Sequence, residues 1–256
     1  MNAMNSRRIA VFNAKGGTGK TTTAHALACG LAAEGQRVLA FDLDHQANLS
    51  FWFARKDNGH PTLDEVIRQD VPLAQAIQPT DVAGVDLVAA NQWLVAADPA
   101  LRAKIGAELW LRRQLERLPG RWDFIIFDCA PGLGILTIAA LAAAGEVLAP
   151  VQPQVLGLAG VARLLETLEQ ARDGINPDLE LLGILPVMVD HRLALTGEVL
   201  AELREHFGGK LLAAAIGTNV RLAEAPSHGR PIYEYAPRSA GAADYRALVQ
   251  EVLAHG

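Results

Sequence analysis

The residues Ala14-Lys15-Gly16-Gly17-Thr18-Gly19-Lys20-Thr21 gather three glycines, two lysines and two threonines in one short stretch. Glycines let successive backbone N–H groups turn towards one anion, and a helix starting at the loop adds the positive end of its dipole. Lys20 would reach the outer phosphates of a nucleotide, and Thr21 would place its hydroxyl on Mg²⁺. The strict pattern asks for glycine at position 14, where alanine stands. Lys15 is a second lysine with no room among the phosphates of its own loop, because Lys20 and the N–H groups fill that shell. Two more stretches supply carboxylates. Asp42 and Asp44, two apart at a strand end, share one face: one would serve the metal's water shell and the other could orient an attacking water. Phe124-Ile125-Ile126-Phe127-Asp128 is a buried strand ending in a carboxylate that would hold a Mg²⁺-bound water.

These groups need elements to carry them. Continuous apolar runs cover 8–13, 37–44, 123–128, 146–151 and 181–189, with a weaker one at 211–216. Unbroken rather than alternating runs are the pattern of strands buried on both faces of a parallel sheet. Helical patterns fall between them, at 20–34 (stopped by Gly35) and near 136–145, 158–173, 193–207 and 240–254. The order predicts an α/β fold, a doubly wound, mostly parallel sheet flanked by helices. Residues 57–122 are the least regular part, with Pro61, Pro72, Pro79 and Pro99 and short amphipathic pieces such as 62–69, where Thr62 could cap a helix. We read them as an insertion on a single domain spanning 1–256.

Composition excludes several classes. Half of the 256 residues are apolar and a fifth charged, which is not a disordered chain. Two cysteines make no disulfide framework, and a reducing, cytoplasmic setting fits them. The most apolar long stretch, 135–151, is Ala-rich and broken by Glu146, so no membrane span is expected. Residues 1–8 lack an apolar signal core, so export is not expected. The net charge of −5 gives no global attraction to nucleic acid, and any such contact must come from a local basic patch.

Lys15-Gly16-Gly17-Thr18-Gly19-Lys20-Thr21 resembles the deviant Walker A loop of the ParA/MinD group of ATPases. The resemblance implies a P-loop NTPase fold that binds ATP and Mg²⁺ along residues 15–22, Thr22 included. It implies that Lys15 crosses to the nucleotide of a second copy, in a homodimer with two ATP molecules in its seam. Hydrolysis would then depend on dimerisation and be slow in the monomer. Asp42-Leu43-Asp44-His45-Gln46 is similar to the group's Asp-x-Asp-Pro-Gln, with His45 in place of proline. By that match Asp44 is the catalytic carboxylate and Asp42 lies nearer Mg²⁺, to which the phosphate loop brings Thr21 and the strand 124–128 brings Asp128. Cys129-Ala130-Pro131 has alanine where two prolines are usual.

The segments 219–232 and 235–245 resemble the chromosomal, Soj-like ParA branch, and the likeness extends over nearly the whole chain. In that branch Asn219 matches the adenine-contacting position, although Gly217-Thr218 replaces the usual Pro-Arg before it. Arg192 and Arg221 match arginines that bind DNA without sequence preference. From position 192 onward seven Lys/Arg face seven Asp/Glu, so the segment is not basic overall. The resemblance implies chromosome or plasmid partitioning, or cargo positioning. The protein would be associated with the nucleoid and stimulated by a ParB-like or cargo-adaptor protein. A chain that begins at its first strand is expected to lack the operator-binding domain of larger relatives. A membrane-cycling MinD-like protein is an alternative, but 245–255 offers only Arg246 as a cation for a basic amphipathic anchor. An ATP-dependent amide or lactam ligase on the same fold is another. An iron–sulfur reductase would need cluster thiolates where neither Cys29 nor Cys129 stands.

Overall fold

The computed structural model describes residues 5–53, 59–154, 157–190 and 192–255, so positions 57 and 58 of the irregular stretch fall outside it. Among the described residues one sheet is built from β1 (Arg7–Val11), β2 (Val38–Asp42), β3 (Ile77–Pro79), β4 (Val85–Val88), β5 (Phe124–Asp128), β6 (Glu146–Val151), β7 (Glu180–Val189) and β8 (Ile216–Gly217). The spatial order is β3-β4-β2-β5-β1-β6-β7-β8. Every neighbouring pair is parallel except β3 with β4. From β1 the chain winds out through β2, then returns to β1's other side with β6. This reversal opens a crevice above the carboxyl ends of the strands, where ligands of such sheets bind.

The apolar runs alternate between two cores. Ala10, Phe12, Leu39, Phe41, Ile125 and Phe127 point into one, and Ile9, Val11, Val38, Ala40, Phe124 and Ile126 into the other. Both faces being covered explains why these strands read as unbroken apolar sequence. The weak run at 211–216 contributes a single bridge, Leu211 to Ile184, and the short β8. The irregular stretch supplies β3 and β4, the helix Leu63–Arg68 and much of the first core. Thr62 precedes that helix and its backbone N–H donates to the Glu65 carboxylate at 2.8 Å. Pro79 is tolerated because β3 is an edge strand.

The helix Lys20–Ala33 lies between the sheet and the final helix Ala240–Ala254, and is buried over most of its length. Its small residues permit close approach. Thr23 Oγ1 and the Tyr245 hydroxyl meet at 3.1 Å, and the Tyr233 hydroxyl donates to the Ala26 carbonyl at 3.0 Å. Gly35, at φ 82°, ends the helix with its N–H on the Ala32 carbonyl. Gly30 faces Val249 and Tyr233 so closely that an added Cβ would lie 2.5 Å from Val249 Cγ2 and 2.6 Å from the Tyr233 hydroxyl oxygen. Alanine there would gain about 1 kcal/mol of helix propensity. We expect overpacking to outweigh this, at roughly 1–3 kcal/mol. Gly30→Ala should therefore lower the urea unfolding midpoint; an unchanged or raised midpoint would mean that the interface yields.

Candidate functional site

The loop after β1 sits at the point of reversal. The Asn13 side-chain amide donates to the Pro150 carbonyl at 2.7 Å, tying the loop to β6, and Asn13 Oδ1 accepts the Lys15 N–H at 2.9 Å. Gly17 and Gly19 stand at φ 72° and 73°, a region that favours glycine, and Gly19 caps the helix that Lys20 begins. Ala14 is exposed and is not among the residues of positive φ, so the missing glycine removes no conformation this loop uses. Lys20 is buried and folds back, its Nζ donating to the Lys15 carbonyl at 3.0 Å, while the Thr18 hydroxyl reaches the same oxygen at 3.3 Å. Burial draws the Lys20 ammonium below its ordinary pKa, and Asp128 opposes this. Lys15 turns the other way: its side chain is exposed and its Nζ donates to Gln154 Oε1 at 3.0 Å, in the loop after β6.

The strands bring the carboxylates to this loop. Asp128 is level with Val11 on one side and Asp42 on the other, so β1, β2 and β5 end flush. Asp42 and Asp128 are both buried. Asp42 accepts the Ser50 N–H at 2.8 Å, the Ser50 hydroxyl at 2.7 Å and the Asp44 N–H at 3.2 Å. Burial still pushes its pKa up to about 6 against those bonds. Neither Asp128 oxygen has a hydrogen-bond partner within bonding geometry. The Thr21 hydroxyl is close enough to favour the charged form, but burial and then Asp42 hold the Asp128 carboxyl well above the usual range. Asp44 lies half-buried beyond them, its Oδ1 accepting the Gln46 N–H at 3.0 Å. Adjacent buried carboxylates, one without partners, together with a threonine hydroxyl and a lysine, fit a hard divalent cation arriving with phosphate oxygens. Thr21 and Thr22 are half-buried at the first turn of the helix.

The remaining expected residues lie at the neighbouring strand ends. Asn219 follows β8 and caps the helix Val220–Glu224, its Oδ1 accepting the Arg221 N–H at 2.9 Å. The Gly217 N–H donates to Asp244 Oδ2 at 2.9 Å, a bond proline could not make. Arg192 and Arg221 follow the adjacent strands β7 and β8. Both are exposed, and each carries its own carboxylate. Arg192 Nε and Nη2 reach the two Asp190 oxygens at 2.9 and 2.7 Å. Arg221 Nη1 reaches Glu224 Oε2 at 2.7 Å, an oxygen that also accepts the Tyr235 hydroxyl. The structure thus gathers Lys15 to Thr22, Asp42, Asp44 and Asp128 at one crevice and sets Asn219, Arg192 and Arg221 at the β7–β8 end of the same edge. Ser50 and Gln154, which hold Asp42 and Lys15, carry no signal in the sequence. Cys29 and Cys129 are buried, free thiols whose pKa burial raises.

Removing one charge from the Asp42–Asp128 pair should relieve the free chain. Asp128→Asn is expected to raise its stability by about 1–3 kcal/mol in urea titration. The raised Asp42 pKa also sets a direction with pH. The folded chain keeps a proton that the unfolded chain releases, so this contribution is full below the ordinary aspartate range. It is lost as pH rises through about 6. Burial is the main cause and the Asp44 charge adds to it, so the decline should shrink in Asp44→Asn; equal pH profiles for the two chains would contradict the part played by that charge.

Comparison with known proteins agrees with this geometry. Residues 6–181 match the profile of an AAA domain family. The chromosome-partitioning ATPase Soj of Thermus thermophilus is 47% identical over 97% of this chain and 96% of its own length. The sporulation initiation inhibitor protein Soj of Bacillus subtilis is 40% identical over 97% and 98%. Among solved structures, cobyrinic acid a,c-diamide synthase from Mycobacterium smegmatis, with a bound ATP analogue and magnesium, superposes with a TM-score of 0.84 at 35% identity, covering 98% of this chain and 95% of that one. With a matching phosphate loop, flush carboxylates and full-length likeness to both Soj proteins, the chain belongs to the ParA/MinD family of P-loop ATPases, in its Soj-like branch.

Proposed function

We propose that the chain is a DNA-partitioning ATPase whose grip on DNA is switched by ATP-dependent pairing of two copies. The observation that carries this is the opposite course of its two loop lysines: Lys20 folds inward over the loop, whereas Lys15 projects outward to Gln154. The chain is an ATP hydrolase. In the proposed roles the 15–22 loop and Lys20 bind the phosphates, and Asn219 contacts the adenine. Thr21, Asp42 and Asp128 hold Mg²⁺, which when bound neutralises charge on the outer phosphates. Asp44 orients the attacking water. Lys15 completes the site of a second copy, so that turnover waits for the dimer.

Arg192 and Arg221 are the proposed phosphate contacts on DNA, and dimerisation doubles them per particle. A ParB-like or cargo-adaptor protein would stimulate hydrolysis and release the nucleoid-bound dimer. No helix among the described residues is long and apolar enough to cross a membrane. The apolar residues of the last helix, Tyr245, Leu248, Val249 and Val252, pack into the core, which supports DNA over a membrane surface as the docking partner. Amide formation is a second reading, favoured by the likeness to the Mycobacterium smegmatis synthase. It predicts turnover that needs a nitrogen donor and ignores DNA.

Two variants test the proposal. Lys15→Ala should bind a non-hydrolysable ATP analogue normally as a monomer, yet form no dimers by light scattering and retain no DNA. A variant that dimerises as well as the parent would remove the trans role of Lys15.

Arg192→Ala should keep the dimer but weaken DNA binding regardless of sequence. It should also flatten the salt dependence by about one unit for each DNA phosphate that the arginine no longer neutralises. Unchanged DNA affinity with the dimer intact would put the DNA surface elsewhere or strike it out.

A further inference from the structure

The short helix Asn48–Trp52 follows the Asp42–Asp44 turn, and Ser50 within it is 3% exposed. A helix leaves the N–H groups of its first turn without internal partners, and Ser50 donates its own to Asp42 Oδ2 at 2.8 Å. The Ser50 hydroxyl stands between two groups. It lies 2.7 Å from the same Oδ2 and 2.9 Å from the N–H of Ala90, two residues past β4. The Ala90 N–H is a donor and takes a lone pair of the hydroxyl oxygen. An ionised carboxylate only accepts, so the single hydroxyl proton is directed at Asp42. Ala90 is 1% exposed, and a buried N–H left unpaired is costly, so the fold holds the hydroxyl in this orientation.

The two Asp42 oxygens are thereby made unequal. Oδ2 receives both the N–H and the hydroxyl of Ser50, which together fill the lone pairs of one carboxylate oxygen. Among the described residues Oδ1 receives only the Asp44 N–H, at 3.2 Å. An acceptor site thus stays open on Oδ1 of a wholly buried carboxylate. Asp42 is level with Asp128, neither of whose oxygens has a hydrogen-bond partner. The open acceptors of this carboxylate pair are then Asp42 Oδ1 and both oxygens of Asp128. Through Ala90 the same serine ties Asp42 to the end of β4, so the carboxylate is fixed from outside its own strand.

We infer that Ser50 is a positioning residue for the cation: by holding Asp42 Oδ2 it presents Oδ1 to Mg²⁺ or its water shell, and so sets the affinity for the metal but not for the phosphates. This rests on the magnesium–nucleotide reading above. The Ser50 side chain bonds to Asp42 and Ala90, not to the 15–22 loop. The test is calorimetric titration of the full chain with a non-hydrolysable ATP analogue, once in saturating Mg²⁺ and once in EDTA. The ratio of the two affinities reports what the metal adds. Ser50→Ala removes the hydroxyl, Ser50→Thr keeps it, and Asp42→Asn removes the carboxylate through which it acts.

Ser50→Ala should lower the ratio about tenfold with the EDTA affinity unchanged, while Ser50→Thr stays near the parent for both. In an Asp42→Asn background, Ser50→Ala should change nothing further. An unaltered ratio in Ser50→Ala would overturn the inference. So would an equal loss in EDTA, which would make Ser50 a prop of the fold. A loss that persists undiminished in the Asp42→Asn background would overturn it too, because the serine would then act by another route. If Ser50→Ala does not unfold cooperatively, Ser50→Cys carries the same test with a weaker donor of similar size, and its ratio should fall in the same direction. A parent chain that binds the analogue equally with and without Mg²⁺ would instead remove the magnesium reading itself, and this inference with it.

Discussion

Three parallel strands ending at one level force two aspartates together in the dry floor of the crevice. Asp42 and Asp128 are in register on β2 and β5, beside the end of β1, and neither can move without shifting a strand of the core. Their mutual repulsion is only partly relieved. Ser50 serves Asp42, Lys20 lies near Asp128, and Asp128 itself has no bonded partner. Buried like charges of this kind are incomplete until a cation arrives. The phosphate loop directly above supplies the complementary half, N–H groups and a lysine that await anions. The floor and the loop thus call for opposite charges, and a magnesium–nucleotide pair answers both.

How much of this is legible in the sequence follows from where each signal resides. The loop announces itself because positive φ at Gly17 and Gly19 demands glycine at fixed spacing. Strands β1, β2, β5 and β6 announce themselves because both faces are covered, and the alternation between two cores leaves charged residues only at the strand ends. Strands β3 and β4 escape because three and four residues, including Pro79 and Asp86, hold too little pattern to register. Their identity comes from pairing with β2, which is a tertiary fact.

The same distinction holds at the site. Asp128 is legible as the last residue of a strand, but its lack of partners is not. Arg192 is legible as a charge, whereas its two-pronged bond to Asp190 depends on a turn that sequence does not encode in composition. Ser50 is least legible of all. A serine just past a polar turn reads as surface, and only the fold sets it between Asp42 and Ala90.

The enclosure of the helix Lys20–Ala33 bears on how the chain reaches its working form. Thr23 bonds to Tyr245 across 222 positions and Tyr233 to Ala26 across 207, while Arg7 Nη1 donates to the Val252 carbonyl across 245. The first strand takes its two neighbours from β5 and β6, made more than a hundred residues later. Contacts so distant along the chain form slowly, because long loops must close before they are rewarded. On the ribosome the segment that carries the phosphate loop emerges before the strands and the helix that wall it in. A nascent chain therefore holds its glycine-rich loop without a scaffold until those elements follow, and competence for nucleotide waits for the helix Ala240–Ala254.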